Sequence, residues 1–280
     1  SAKMAGEKQS GDETKKYLFG LSDGNFIECV LLKAPSEDGG IRKTLCLSTQ
    51  VGCACACKFC ASALRGFVRN LTAEEIISQA LPFVEETIDN GKRIRRFEFE
   101  NIVVMGMGEP LINYINLMSA LKVFNSAEKF AFGARRITVS TCGIADRLEK
   151  LPEDGFPYRL AISLHGATDE VRGKIMPINS RFPLARLLGA AEKFSKSCGR
   201  MITLEYILIK NVNDSFEQAR ELAKIAKRLH AHINLIPYNK VPALSWQRSD
   251  AGRRAAFARI LDEAGASYTL RREKGSEIDA

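Results

Sequence analysis

Within eight residues, Cys53-Ala-Cys-Ala-Cys-Lys-Phe-Cys60 presents four thiols. A group this dense, in a chain of ordinary globular composition, holds a metal ion or an iron–sulfur cluster more often than anything else. Two registers fit. One uses Cys53, Cys57 and Cys60, with the aromatic Phe59 directly before the last. The other recruits Cys55, whose one-residue spacing from both neighbours strains simultaneous ligation of one small centre. In the first register Cys55 reads as a small packing residue. A structural zinc site normally draws on two separated ligand pairs. Cys57 and Cys60 form one such pair, and no second Cys-x2-Cys pair, nor a His pair at the three-to-five-residue spacing of zinc sites, follows. A zinc module is the competing reading, and metal analysis separates the two.

Three cysteines on a four-iron cluster leave one iron open to a small molecule. Amino and carboxylate groups, such as those of a methionine backbone, suit that position. If the molecule is S-adenosylmethionine, an electron from the cluster splits its sulfonium bond and releases a 5′-deoxyadenosyl radical. The spacing, the aromatic and the place of the cysteines after the strand-like run Lys43–Ser48 match the radical-SAM signature.

The elements that must position these thiols read as alternating strands and helices. Lys43–Ser48, Phe99–Met105, Arg136–Ser140, Arg159–Leu164, Ile202–Ile209 and His232–Ile236 are apolar, β-prone runs, each followed by helical sequence, and Ser267–Arg271 is a last strand. Regular alternation implies parallel pairing with right-handed crossovers. The fold class expected is therefore α/β, a partial (β/α)6 barrel of the TIM type. Before it, Tyr17–Phe19 and Phe26–Leu32 flank Asp23-Gly24, a hairpin signal. Residues 1–16 read as a polar tail, disordered or vector-derived, 17–42 as a β-hairpin extension and 43–280 as the barrel. Thr72-Ala-Glu-Glu75 is a capping box expected to open a helix reaching Asn90, bent at Pro82.

Ligands of such barrels sit where strands end. Beyond the cysteines, these ends hold Gly106-Met-Gly-Glu-Pro110, Ser140-Thr-Cys-Gly143, Ser163-Leu-His-Gly166 and Pro237-Tyr-Asn239. Singly, a Gly-x-Gly or a serine after a strand is a turn or a helix cap, and His165 alone is a structural histidine. Together, at one end of the same architecture and beside a thiol cluster, they read as one site.

Bulk properties bound the rest. The chain has 280 residues, 45% hydrophobic and 26% charged, enough for one large domain. Its net charge of +8 is compatible with a nucleic-acid partner. No apolar signal segment or membrane-length run occurs, so a cytoplasmic protein with no membrane is expected, and eight cysteines without a secretory signal suit a reducing compartment.

Leu45–Cys53, Cys57-Lys-Phe-Cys60, Val104–Pro110, Ala161–His165, Asn234–Asn239 and Lys274–Asp279 resemble the bacterial dual-specificity adenine methyltransferases of the radical-SAM superfamily. That family methylates carbon 2 of one adenine in 23S rRNA and of one in tRNA. The resemblance implies a [4Fe-4S] cluster on Cys53, Cys57 and Cys60. It implies contacts from Gly108, Glu109, Ser140, Ser163, Leu164, His165 and Asn239 to S-adenosylmethionine. It places Glu28 at the family's proton acceptor and Cys46 at the thiol that resolves a covalent intermediate through a disulfide. Taken on their own, Glu28 is a hairpin surface residue and Cys46 a buried strand cysteine. A monomer served by an electron donor such as flavodoxin or ferredoxin is also implied.

In the family one S-adenosylmethionine methylates a C-terminal cysteine, and a radical from a second activates that methyl group for addition to the base. The resemblance places this cysteine a few residues past Ala280, and it places a helical RNA-binding domain before the hairpin, so a trimmed chain is expected. The alternatives are methylation at adenine carbon 8 and a non-methylating homologue that binds RNA and S-adenosylmethionine.

Overall fold

The computed structural model describes residues 2–36, 39–89, 92–241 and 243–271. The chain forms two compact units, one of residues 1–54 with 66–139 and one of residues 55–65 with 140–273. The motif Lys274–Asp279 lies outside the described residues.

The first unit begins with strands β1 (Lys3–Gln9), β2 (Lys15–Gly20), β3 (Phe26–Pro35), β4 (Ile41–Cys46) and β5 (Gln50–Gly52). The short helix α1 (Ala61–Leu64) belongs to the second unit. The first then continues through β6 (Phe67–Asn70), α2 (Ala73–Ser78), β7 (Val84–Asp89), β8 (Lys92–Phe97), β9 (Asn101–Val104) and α3 (Tyr114–Asn125) to β10 (Ile137–Thr141), whose last two residues enter the second unit. Its main sheet runs β1-β2-β3-β4-β9-β10. The pairs from β1 to β4 are antiparallel, whereas β4 with β9 and β9 with β10 are parallel.

Alternation sets what each face does. Ile27, Cys29 and Leu31 of β3 are fully buried, and Glu28 and Val30 between them are half-open. Thr72 and Glu75 cap α2 reciprocally, as the motif indicates.

The helix expected to reach Asn90 ends at Ser78 instead. Pro82 stops it, and the β-branched run from Val84 to Ile88 pairs antiparallel with Lys92–Phe97. The dipeptide between these strands in the sequence, Asn90-Gly91, is itself a hairpin signal. The polar tail is corrected too. Lys3–Gln9 is an edge strand paired with β2, all seven residues exposed. Its order comes from backbone hydrogen bonds, so no hydrophobic period marks it.

The second unit holds α4 (Ala145–Leu148), β11 (Arg159–Ser163), α5 (Asp169–Ile175), α6 (Leu184–Cys198), β12 (Thr203–Leu208), α7 (Phe216–Leu229), β13 (His232–Pro237), α8 (Ala251–Glu263) and β14 (Tyr268–Leu270). Strands β11 to β14 are neighbours in sequence order and parallel throughout. On one face Leu204, Tyr206, Ile233 and Leu235 are fully buried. On the other, register aligns Ser163, Glu205, Asn234 and Thr269 in a polar row across four strands. The six strands counted from Lys43 are all present as β4, β9, β10, β11, β12 and β13.

Candidate functional site

In the first unit the loops after β4 and β9 are tied to each other by short polar contacts. Ser48 Oγ donates to the Glu28 carbonyl at 2.5 Å and accepts from Met107 N at 2.9 Å. The Gln79 side chain brackets Ser48, accepting from its N–H and donating to its carbonyl. Gln50 Oε1 accepts from Glu109 N at 2.9 Å, and Glu109 Oε1 from Leu111 N at 3.0 Å. The approach leaves no room for side chains at the two glycines. A Cβ on Gly106 would lie 2.7 Å from Ser48 Oγ, and one on Gly108 2.5 Å from Gln50 Cβ. Glu109 is thus buried on a rigid loop.

Gln50–Gly52 pairs antiparallel with Phe67–Asn70, and Cys53 N donates to Gly66 O at 3.1 Å. Gly52 adopts a left-handed φ of +72°, and a Cβ there would fall 1.7 Å from Gly66 O. The two ends of the cysteine segment are pinched together by backbone, in a ribbon absent from the sequence reading.

Glu28 and Cys46 share a sheet face. Val30 of β3 pairs directly with Cys46 of β4, and Glu28 lies two residues from Val30 on the same side. Lys16 meets Glu28 at 3.4 Å from β2. The Glu28 side chain is 38% exposed and Cys46 is buried.

The second unit carries Cys57, Cys60, Ser140, Ser163, Leu164, His165 and Asn239, whereas Cys53 belongs to the first. Cys57 and Cys60 close one turn, with Cys60 N donating to Cys57 O at 3.1 Å and Cys60 opening α1. Lys58 N donates to Ile175 O at 2.9 Å, fastening the turn to the end of α5. The Phe59 ring stands edge-on to His165, centroids 4.7 Å apart. His165 itself has a left-handed φ of +54°. Its Nδ1 accepts from Ile207 N at 3.1 Å, and burial, with Arg172 adding to it, pulls its pKa down to about 3, so the ring is neutral at physiological pH. The N–H groups of Leu164 and His165 both donate to the Glu205 carbonyl. Asn239 is half-buried, and its Oδ1 accepts from Arg248 at 3.5 Å.

Three residues near these loops are not singled out by the sequence motifs. Cys142 places its Sγ 3.1 Å from that of Cys55, so the thiol read as packing has a buried thiol for a neighbour. Arg172 is fully buried on α5. Glu205, the middle of the polar row, is buried with Oε1 on Asn234 Nδ2 at 3.0 Å and no partner for Oε2. Burial raises its pKa.

None of the eight cysteines is in a disulfide. The donor set fits an iron–sulfur cluster. Cys53, Cys57 and Cys60 are thiols on one short segment, and soft thiolate donors select such centres. Among the described residues no helix is long and apolar enough to cross a membrane.

Residues 47–223 match the Radical SAM superfamily, so the chain is a radical-SAM protein, a class that works with a [4Fe-4S] cluster and S-adenosylmethionine. The probable dual-specificity RNA methyltransferase RlmN 3 of Opitutus terrae is 54% identical over 278 residues, covering 98% of this chain and 74% of that protein. The probable dual-specificity RNA methyltransferase RlmN of Akkermansia muciniphila is 48% identical over 97% of this chain and 74% of its own. The crystal structure of a radical SAM methyltransferase from Sphaerobacter thermophilus matches with a TM-score of 0.88 at 39% identity, over 99% of this chain and 79% of that one. The chain belongs to the RlmN family of radical-SAM methyltransferases. Its α/β fold, with a mostly parallel central sheet, is that of the superfamily.

Proposed function

We propose that this enzyme methylates carbon 2 of adenine in 23S rRNA and in tRNA through a methyl-cysteine intermediate. The observation that carries the reading is the common sheet face of Glu28 and Cys46, a carboxylate and a thiol that the family's route requires together. Membership in a family whose curated relatives are named dual-specificity RNA methyltransferases supports the RNA substrate.

Carbon 2 of adenine is electrophilic and carries no acidic proton, so ordinary methyl transfer has no nucleophile there. When bound, the cluster and S-adenosylmethionine supply the methyl group and a 5′-deoxyadenosyl radical that activates it. Cys53, Cys57 and Cys60 hold the iron. Gly108 and Glu109 on the rigid loop after β9, with Ser140, Ser163, Leu164, His165 and Asn239, bind and orient S-adenosylmethionine. Once the activated methyl carbon has bonded to carbon 2, Glu28 takes the ring proton there, and the odd electron of the adduct would pass to a one-electron acceptor, a role the oxidised cluster would supply. Cys46 Sγ bonds to the sulfur of the methyl-accepting cysteine, expected past Ala280, as that sulfur's bond to the new methyl carbon breaks. The electron pair stays with the carbon, which takes a proton, and the sulfurs are left as a transient disulfide. The enzyme acts in the cytoplasm as a monomer, reduced by a flavodoxin or ferredoxin.

Nucleoside mass spectrometry of 23S rRNA and tRNA from cells lacking the gene, and from cells complemented with it, tests this. Restored 2-methyladenosine in both RNAs supports the proposal. Appearance of 8-methyladenosine instead establishes the carbon-8 reading. Absence of 5′-deoxyadenosine from reconstituted, reduced protein establishes the non-methylating one.

A further inference from the structure

Arg172 poses a problem of charge. Its side chain is fully buried, and arginine stays protonated in proteins. A buried charge without a counter-charge is strongly unfavourable, yet Arg172 forms no ion pair among the described residues. Its hydrogen bonds go to neutral groups, Nη1 to Asn179 Oδ1 at 2.8 Å and Nη2 to Cys142 O at 2.6 Å. Nε is buried with no partner.

Two glycine loops close on Arg172, one at its guanidinium beside Leu187 and one at its backbone. A Cβ on Gly143 would lie 3.3 Å from Nη2, and one on Gly166 2.6 Å from the Arg172 backbone N. Both glycines follow strand ends expected to meet S-adenosylmethionine, Ser140–Gly143 and Ser163–Gly166. Arg172 therefore braces two loops of the site from behind. Burial lowers its pKa, and the groups close enough to oppose that shift are Cys142, Cys57 and Asp169, in that order. The Asp169 carboxylate meets Arg172 at one remove, through Asn179, which donates to it at 2.9 Å and accepts from Nη1 at 2.8 Å. Cys142 stands outside the three-cysteine signature. Cys57 is the member of the set that becomes a permanent anion when it ligates iron, and its turn is pinned to α5 through Lys58 N and Ile175 O.

We infer that Arg172 is a positioning residue of the iron–sulfur centre, its guanidinium the buried counter-charge of the cluster-bearing Cys57–Cys60 turn. A fixed positive charge favours the more negative, reduced state of a cluster, so Arg172 raises the reduction potential. The inference rests on the radical-SAM reading and adds the charge that tunes the centre.

The test is an EPR-monitored redox titration of anaerobically reconstituted full chain without S-adenosylmethionine, with iron and sulfide assayed in each sample. Arg172→Met is expected to shift the midpoint potential to more negative values, while Arg172→Lys, which keeps the charge but cannot span both acceptors, stays at the wild-type value. An unchanged potential in Arg172→Met overturns the inference. Should Arg172→Met fail to fold, Arg172→Lys decides alone: a wild-type potential supports the role of charge, and a negative shift assigns the residue to loop packing only. Wild-type protein that binds no iron and sulfide would instead sink the radical-SAM reading itself, which keeps the two failures apart.

Discussion

The Phe59 ring sits edge-on to the imidazole of His165 at 4.7 Å, joining the cysteine turn to the loop after β11. An edge-to-face pair of this kind contributes about 0.5–1.5 kcal/mol beyond its buried area. It also shields His165 from water, which keeps the ring uncharged.

That burial has a pH signature. The folded pKa of His165 lies at about 3 and the ordinary value at 6.5, so folded and unfolded chains bind protons equally above 6.5. As pH falls below 6.5 the unfolded state protonates first, and stability drops by at most roughly 1.4 kcal/mol per pH unit. Urea unfolding of the wild type from pH 7 to pH 5 should show this loss. His165→Asn, which tolerates the left-handed backbone and keeps an acceptor for Ile207 N, should flatten the slope. An equal slope in both proteins would refute the assignment.

Glu205 acts in the opposite direction. Its pKa is raised by burial, so its contribution is fully present below the ordinary carboxylate value and is lost as pH rises through the raised one. Glu205→Gln should therefore gain stability relative to the wild type between pH 5 and pH 8, measured by the same unfolding experiment. A constant difference across that range would mean that the carboxyl is solvated in the folded state.

Iron retention separates the thiols. Cys53→Ala, Cys57→Ala and Cys60→Ala are each expected to lose the cluster and 5′-deoxyadenosine formation after anaerobic reconstitution. Cys55→Ala, whose sulfur faces Cys142, should keep both. Loss of iron in Cys55→Ala with retention in Cys53→Ala would show that the other register is used.

The capping box of α2 offers a test in the first unit. Thr72 Oγ1 accepts from Glu75 N, Glu75 Oε2 accepts from Thr72 N, and Arg69 grips the same carboxylate with both terminal nitrogens at 2.8 and 2.9 Å. Thr72→Ala should cost about 1 kcal/mol in urea unfolding. Glu75→Gln should cost more near neutral pH than at pH 3, because the Arg69 pair holds the Glu75 carboxyl below its usual range and its contribution fades as pH falls.

The parallel strands were legible because each is a short, continuous apolar run ending in polar or glycine-rich sequence, as Asn101–Val104 before Gly106 shows. The cysteine spacing pointed to an iron–sulfur register, whereas the roles of the strand-end residues came from the family resemblance and not from their spacing. The β7–β8 hairpin was hidden because the capping box correctly announces a helix without saying how soon Pro82 will end it. Glu205 and Cys142 were invisible for a different reason, since their significance lies in partners 29 and 87 residues away. Arg172 did leave a trace. It stands three residues before Ile175 on the inward side of α5, and both are buried, an arginine in an apolar stripe.

The backbone pinch at Gly52 and Gly66 has a thermodynamic consequence. Joining the ends of a flexible segment lowers its chain entropy, and that cost grows only logarithmically with length. Here the ends are brought together by ribbon hydrogen bonds between Gln50–Gly52 and Phe67–Asn70. Iron arriving at Cys53, Cys57 and Cys60 thus meets a segment whose closure entropy is already lost. The free energy of its thiolate bonds remains available for ordering the tip and for discriminating among metals.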